Sequence, residues 1–114
     1  MARYTYVVMT NAVEGQDDEL NTWYDNQHIH DVLKVAGFKS AQRLKLAHAV
    51  TKPPVKHQYL ALYEIETDDL NKTLAAFDAH VAAGGVPMSG ALDTKGVYAV
   101  YFEETGDRVL AKNA

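Results

Sequence analysis

The sequence predicts an α+β fold: one four-stranded antiparallel sheet with two helices on one of its faces. Three observations predict it. Four segments are rich in β-branched and aromatic residues, two stretches with helical spacing separate them, and the order is β-α-β-β-α-β. At 114 residues the chain fits a single domain, expected over 1–106, with a polar, frayed tail over 107–114.

Residues 3 to 11 open with Arg3-Tyr4-Thr5-Tyr6-Val7-Val8-Met9, a strand by composition. Gly15 is followed by Asp17, Asp18 and Glu19, an acidic turn that complements the positive end of a helix dipole. Leu20, Trp23, Tyr24 and Gln27 follow at helical spacing, so the first helix is expected from Gln16 to His28. A less regular continuation from Ile29 to Val35 stops at Gly37. Phe38 to Ala49 is the second strand, Lys52-Pro53-Pro54 breaks the chain, and Gln58 to Glu66 is the third strand. Thr67 is the expected cap of a second helix. Its apolar stripe is Leu70, Leu74, Phe77 and Val81, and Gly84-Gly85 ends it. After a loop from Val86 to Asp93, Lys95 to Glu104 is the fourth strand. This is the split βαβ, or ferredoxin-like, arrangement.

Composition narrows the function. A net charge of -4 leaves no basic stripe to neutralise phosphates, so nucleic acid is not an expected partner. No apolar run approaches the roughly 20 residues of a membrane span, and the N-terminal residues lack a signal-like apolar stretch. The expected location is the cytoplasm. With no cysteine, thiolate metal sites, iron-sulfur clusters and a Cys nucleophile are excluded together. The Gly84–Gly90 loop lacks the dinucleotide fingerprint. No cofactor and no metal are expected.

The strands alternate, yet both of their faces are apolar. Tyr98, Val100 and Phe102 oppose Val97, Ala99 and Tyr101; Leu60 and Leu62 oppose Tyr59, Ala61, Tyr63 and Ile65. Such strands belong to a sheet covered on both sides, and two helices cover only one. A homodimer joined through the second face is the expected solution.

The densest chemistry lies in Asn21-Thr22-Trp23-Tyr24-Asp25-Asn26-Gln27-His28-Ile29-His30-Asp31-Val32-Leu33. With Val35-Ala36-Gly37-Phe38-Lys39-Ser40-Ala41-Gln42-Arg43 and Tyr59-Leu60-Ala61-Leu62-Tyr63-Glu64-Ile65, it resembles the EthD-like branch of the dimeric α+β barrel superfamily over residues 4 to 104. The resemblance implies two ferredoxin-like protomers joined into a barrel, with a ligand cavity between sheet and helices. Its members include cofactor-free monooxygenases, muconolactone isomerases, polyketide cyclases, haem enzymes and proteins without a known reaction. That branch usually has Leu-Pro or Ile-Pro after the motif histidine, where this chain has Ile29-His30.

His28 is the candidate proton-transfer group. It follows Tyr24 by four residues, which puts imidazole and phenol on one helical face. The competing role for His28 is to cap the helix C-terminus. Tyr24 is the candidate oxyanion donor, or a core ring with a wet hydroxyl. Trp23, His30, His80, Tyr6, Tyr63 and Arg43 are the candidate substrate contacts. Each has a plainer alternative: core packing for the aromatics, the helix boundary for His80, and solvent or the dimer partner for Arg43, which has lysines on either side. Asp25 is expected in water, and His48 and His57 on the surface. His28-x-His30 has the spacing of a metal pair but lacks a third ligand. The expected function is a cofactor-independent enzyme on a small hydrophobic or aromatic metabolite, a lyase or isomerase before a cyclase or monooxygenase. The rival is a metabolite-binding barrel without catalysis.

Overall fold

The computed structural model describes residues 1–112. Its elements are β1 (Ala2–Thr10), α1 (Asp17–Trp23), a π-helical turn (Tyr24–His28), α2 (Ile29–Val32), β2 (Phe38–Lys45), β3 (Tyr59–Thr67), α3 (Leu70–Ala82) and β4 (Tyr98–Glu103). The sheet order is β2-β3-β1-β4 with every neighbour antiparallel, and the helices pack on one face. This is the ferredoxin-like α+β fold that the sequence predicts.

The strands alternate as their composition requires. Toward the helices, Tyr63 and Ala61 of β3 pair with Tyr6 and Val8 of β1, and Ala41 and Arg43 of β2 pair with Tyr63 and Ala61. These positions build the core with Tyr24, Val32, Val35, Phe38, Ile65 and Val86. A second cluster, Leu20, Tyr59, Ala91 and Leu92, closes one end beneath Trp23.

Several boundaries differ from expectation. The first helix is not one regular element, because its middle opens into a π-turn. Both β2 and β4 are shorter than their composition suggests; past Lys45 the ladder retains one backbone bond, Leu46 N to Gln58 O at 2.7 Å. The cap of α3 is Asp69, whose Oδ1 accepts from Lys72 N at 3.2 Å, and Thr67 instead supports it by bonding Asp69 and Thr73. Asp69 wins because it stands one residue before the helix, in extended conformation with φ -144°. Gly37 turns α2 into β2 at φ +96°, and a Cβ there would press on Glu66 O at 3.3 Å.

Residues 104–112 form no helix or strand and are exposed. The remainder of the expected tail, 113 and 114, lies outside the described residues. Among the described residues no helix is long and apolar enough to cross a membrane.

The second face of the sheet has two apolar rows. One runs Leu44, Leu60, Met9, Tyr98; the next runs Gln42, Leu62, Val7, Val100. A third row, Ser40, Glu64, Thr5 and Phe102, is mostly polar, with Ser40 donating to Glu64 at 2.9 Å. Among the described residues no helix or strand packs over these rows, and Leu44, Tyr98 and Phe102 are exposed by 41%, 55% and 61%.

Candidate functional site

The site is built around the π-turn. In an α-helix residues three or four apart share a face, and residues five apart do not. A π-turn widens the coil, so His28 meets both preceding aromatics. Its ring stacks on Trp23 at 4.4 Å and stands edge-on to Tyr24 at 4.7 Å. The sequence places Tyr24 and His28 together correctly, while the Trp23 stack follows from the turn. Trp23 is half-buried and donates from Nε1 to Pro87 O at 3.2 Å, so it bridges His28 and the loop after α3.

Burial pushes the His28 imidazole down to about 4; Asp31 opposes the fall and Arg43 adds to it. The ring is therefore neutral at pH 7, below the ordinary value that its type alone implies. That neutrality removes the cationic helix-cap role. Its Nδ1 is buried without a hydrogen-bond partner among the described residues.

Tyr24 is buried, and its hydroxyl lies 3.2 Å from that of Tyr63 on β3. Burial raises both phenols, which stay protonated and able to donate. Arg43 departs from its plainer alternative, a side chain in solvent. Its guanidinium lies over the Tyr24 ring at 4.4 Å and the Tyr59 ring at 5.4 Å, and its side chain is only 12% exposed. Nη1 donates to Asp25 Oδ1 at 3.0 Å, so the carboxylate expected in water is an ion partner, although still 58% exposed. The other two guanidinium nitrogens, Nε and Nη2, are buried and unpartnered among the described residues. Beside Arg43 a groove of about 450 Å³ is lined by Asn21, Asp25, Leu44, Lys45 and Tyr59.

Tyr6 belongs to the same aromatic wall, 5.8 Å from Tyr63 and stacked on Tyr101 at 4.1 Å. Two candidates stand apart. His30 is exposed and bonded to the Asp25 carbonyl at 2.9 Å. His80 donates from Nε2 to the Asp31 carbonyl at 2.9 Å, joining α3 to α2. Among the described residues no three His, Asp or Glu are grouped to hold a metal. His57 is half-buried rather than on the surface, bonded to Gly96 O at 2.6 Å. Asp17 escapes the sequence reading as a site residue, and Tyr59 enters it only as one of the strand tyrosines; the Tyr59 hydroxyl donates to Asp17 at 2.6 Å and accepts from Asn21 at 3.4 Å, one edge of the groove. The one signal available was the helical spacing of Asp17 and Asn21.

The space between sheet and helices is filled by these rings instead of forming an open chamber. A larger groove of about 780 Å³ runs outside it, between α1 and the loop at Pro87–Gly90. Trp23 lines this groove, and His28, behind Trp23, does not.

A family model described as Domain of unknown function (DUF4286) matches residues 3–109. No curated protein matches the chain. Among solved structures, an ethyl tert-butyl ether d (EthD) family protein from Bacillus halodurans is similar at 16% identity and TM-score 0.59, covering 91% of this chain and 99% of that one. The heme-degrader MhuD from Mycobacterium tuberculosis, with two hemes bound, is similar at 20% identity and TM-score 0.63, covering 93% and 99%. A DABB family protein with a ferredoxin-like fold from Mesorhizobium loti gives 11% identity and TM-score 0.59, covering 93% and 100%. At these identities the likeness is one of fold, and it agrees with the EthD-like resemblance of the sequence.

Proposed function

We propose, from the premise that the chain belongs to the DUF4286 family, that it is a cytoplasmic, cofactor-independent enzyme moving a proton on a small hydrophobic or aromatic metabolite. The reaction class is lyase or isomerase. The observation that carries this reading is the free, buried Nδ1 of a neutral His28 beside two protonated phenols and a guanidinium. In the proposed reaction His28 takes a proton from an activated carbon, and the Tyr24–Tyr63 pair donates to the oxygen on which charge gathers. Arg43 supplies positive charge to the anion that forms. A ring near 4 is a weak base, so the donors must acidify the substrate strongly. Reaching His28 requires Trp23 or its loop to move, because the indole covers the imidazole.

The test is exchange of carbon-bound hydrogen in deuterium oxide, read by NMR across a panel of enolisable aromatic and lactone metabolites. Exchange is expected with at least one of them and is expected to fall by about 10² to 10⁴ in His28→Ala. A panel member that exchanges equally in both proteins would rule His28 out as the base.

The ring-filled interior and the low basicity of His28 favour a second reading, a barrel that binds a metabolite without transforming it. That reading expects saturable binding with no exchange in either protein. In both readings the working unit is a homodimer joined through the uncovered sheet face.

A further inference from the structure

We infer that Arg43 is a carboxylate-recognition residue, and that the site takes small aromatic carboxylic acids as their anions. The inference rests on the proposed site and deepens it by naming the substrate class. Among the described residues, Nη1 is the one guanidinium nitrogen with a hydrogen-bond partner, Asp25. Nε and Nη2 are the pair left over, and they share one edge of the guanidinium, with parallel N–H bonds set to receive both oxygens of a carboxylate. Two buried donors without acceptors cost about 1–3 kcal/mol each, a cost relieved only when an acceptor arrives. A neutral amide brings one acceptor to that edge; a carboxylate brings two, with charge.

The surroundings specify more. The guanidinium carbon lies 4.4 Å from the Tyr24 ring centroid and 5.4 Å from that of Tyr59, so both rings limit how the fork can turn. The groove beside it has Leu44 and Tyr59 for apolar contact, and Asn21 and Lys45 at its rim. Asp25 lies in the same groove, more than half exposed. It engages the guanidinium as a ligand carboxylate would, and it can yield without loss of core packing.

Benzoate and its neutral isostere benzamide are the probes, titrated into the full chain by calorimetry and by NMR of arginine side-chain Nε–H groups. Benzoate is expected to bind at least tenfold more tightly than benzamide and to shift the Arg43 Nε–H signal. Arg43→Lys keeps the charge and loses the fork, so it is expected to erase the preference. Because a buried lysine can unfold the chain, Asp25→Asn provides a second arm that leaves the fork intact. Asp25 holds Nη1 and not the fork, so removing its nearby negative charge is expected to tighten benzoate several-fold. Equal binding of the two probes, binding of neither, a silent Arg43 signal or a preference that survives Arg43→Lys would each overturn the inference. The benzoate preference is expected to persist in His28→Ala, which separates this inference from the proton-transfer reading: either can fail while the other stands.

Discussion

His28 is uncharged because burial removes its water, and that links the site to stability. The unfolded ring titrates near 6.5 and the folded one near 4, so between those values the unfolded chain binds the extra proton. Stability contributed by neutral His28 is fully present above about 6.5 and falls as pH drops toward 4. Urea midpoints at pH 7.5 and 4.5 are expected to differ more for the wild type than for His28→Gln; an equal difference would show that other groups set the acid limit. The tyrosine pair yields a second prediction. Tyr24→Phe leaves the Tyr63 hydroxyl buried and without its partner, at about 1–3 kcal/mol. The double change Tyr24→Phe/Tyr63→Phe removes both polar ends and is expected to recover part of that loss, a coupling visible in a double-mutant cycle of chemical denaturation. Additive losses would mean the hydroxyls do not depend on each other. Arg43 shows why residue type alone left two readings open. Between Lys39 and Lys45 its alternation suits water, and only the fold reveals that Tyr24 and Tyr59 take its face.

At the scale of elements, the least legible feature is the π-turn at Tyr24–His28. Its wider hydrogen-bonding differs from an α-helix by one added residue per turn, and no residue type encodes that choice. What selects it is tertiary: Trp23 bonds Pro87 O, Tyr24 bonds Tyr63, and His28 fits against both rings only if the coil widens. The strands were legible because alternation is local. Tyr4-Thr5-Tyr6-Val7-Val8 reads as β1 without reference to anything distant. Strand ends were less so, since Leu46–Ala49 has strand composition but, among the described residues, only the Leu46 N to Gln58 O bond continues its ladder. The contact between α3 and its following loop supports another prediction. A Cβ at Gly85 would fall on the His80 ring, which the Asp31 carbonyl holds in place. Gly85→Ala is expected to cost about 1–3 kcal/mol, the range for overpacking, in thermal or chemical unfolding. His80→Ala in the same chain is expected to recover most of the packing term; no recovery would place the strain in the backbone of the turn.

The whole molecule has one side finished and one side open. Helices close the first sheet face, where Ile65 and Tyr63 are 0% and 1% exposed. On the other, Leu44, Leu60, Met9, Leu62, Val7 and Val100 stand in adjacent register, and among the described residues no helix packs over them. A contiguous apolar face of this kind is rare on a lone soluble protein. A second copy would meet the need without new chemistry, by setting its own apolar rows against these with the polar row of Ser40, Glu64 and Thr5 at one border. An assembly burying more than about 1,000 Å² is therefore expected, and sedimentation is expected to give twice the chain mass at micromolar concentration. Folding and association are then coupled, so the melting temperature is expected to rise with protein concentration. Leu62→Asp puts a charge in the middle of the rows and touches none of the candidate site. It is expected to give monomeric, less stable or insoluble protein, whereas the same change at exposed Asn71 on α3 is expected to leave the mass unchanged. A wild-type chain that sediments as a monomer, with a melting temperature independent of concentration, would mean that the open face is covered by something other than this chain.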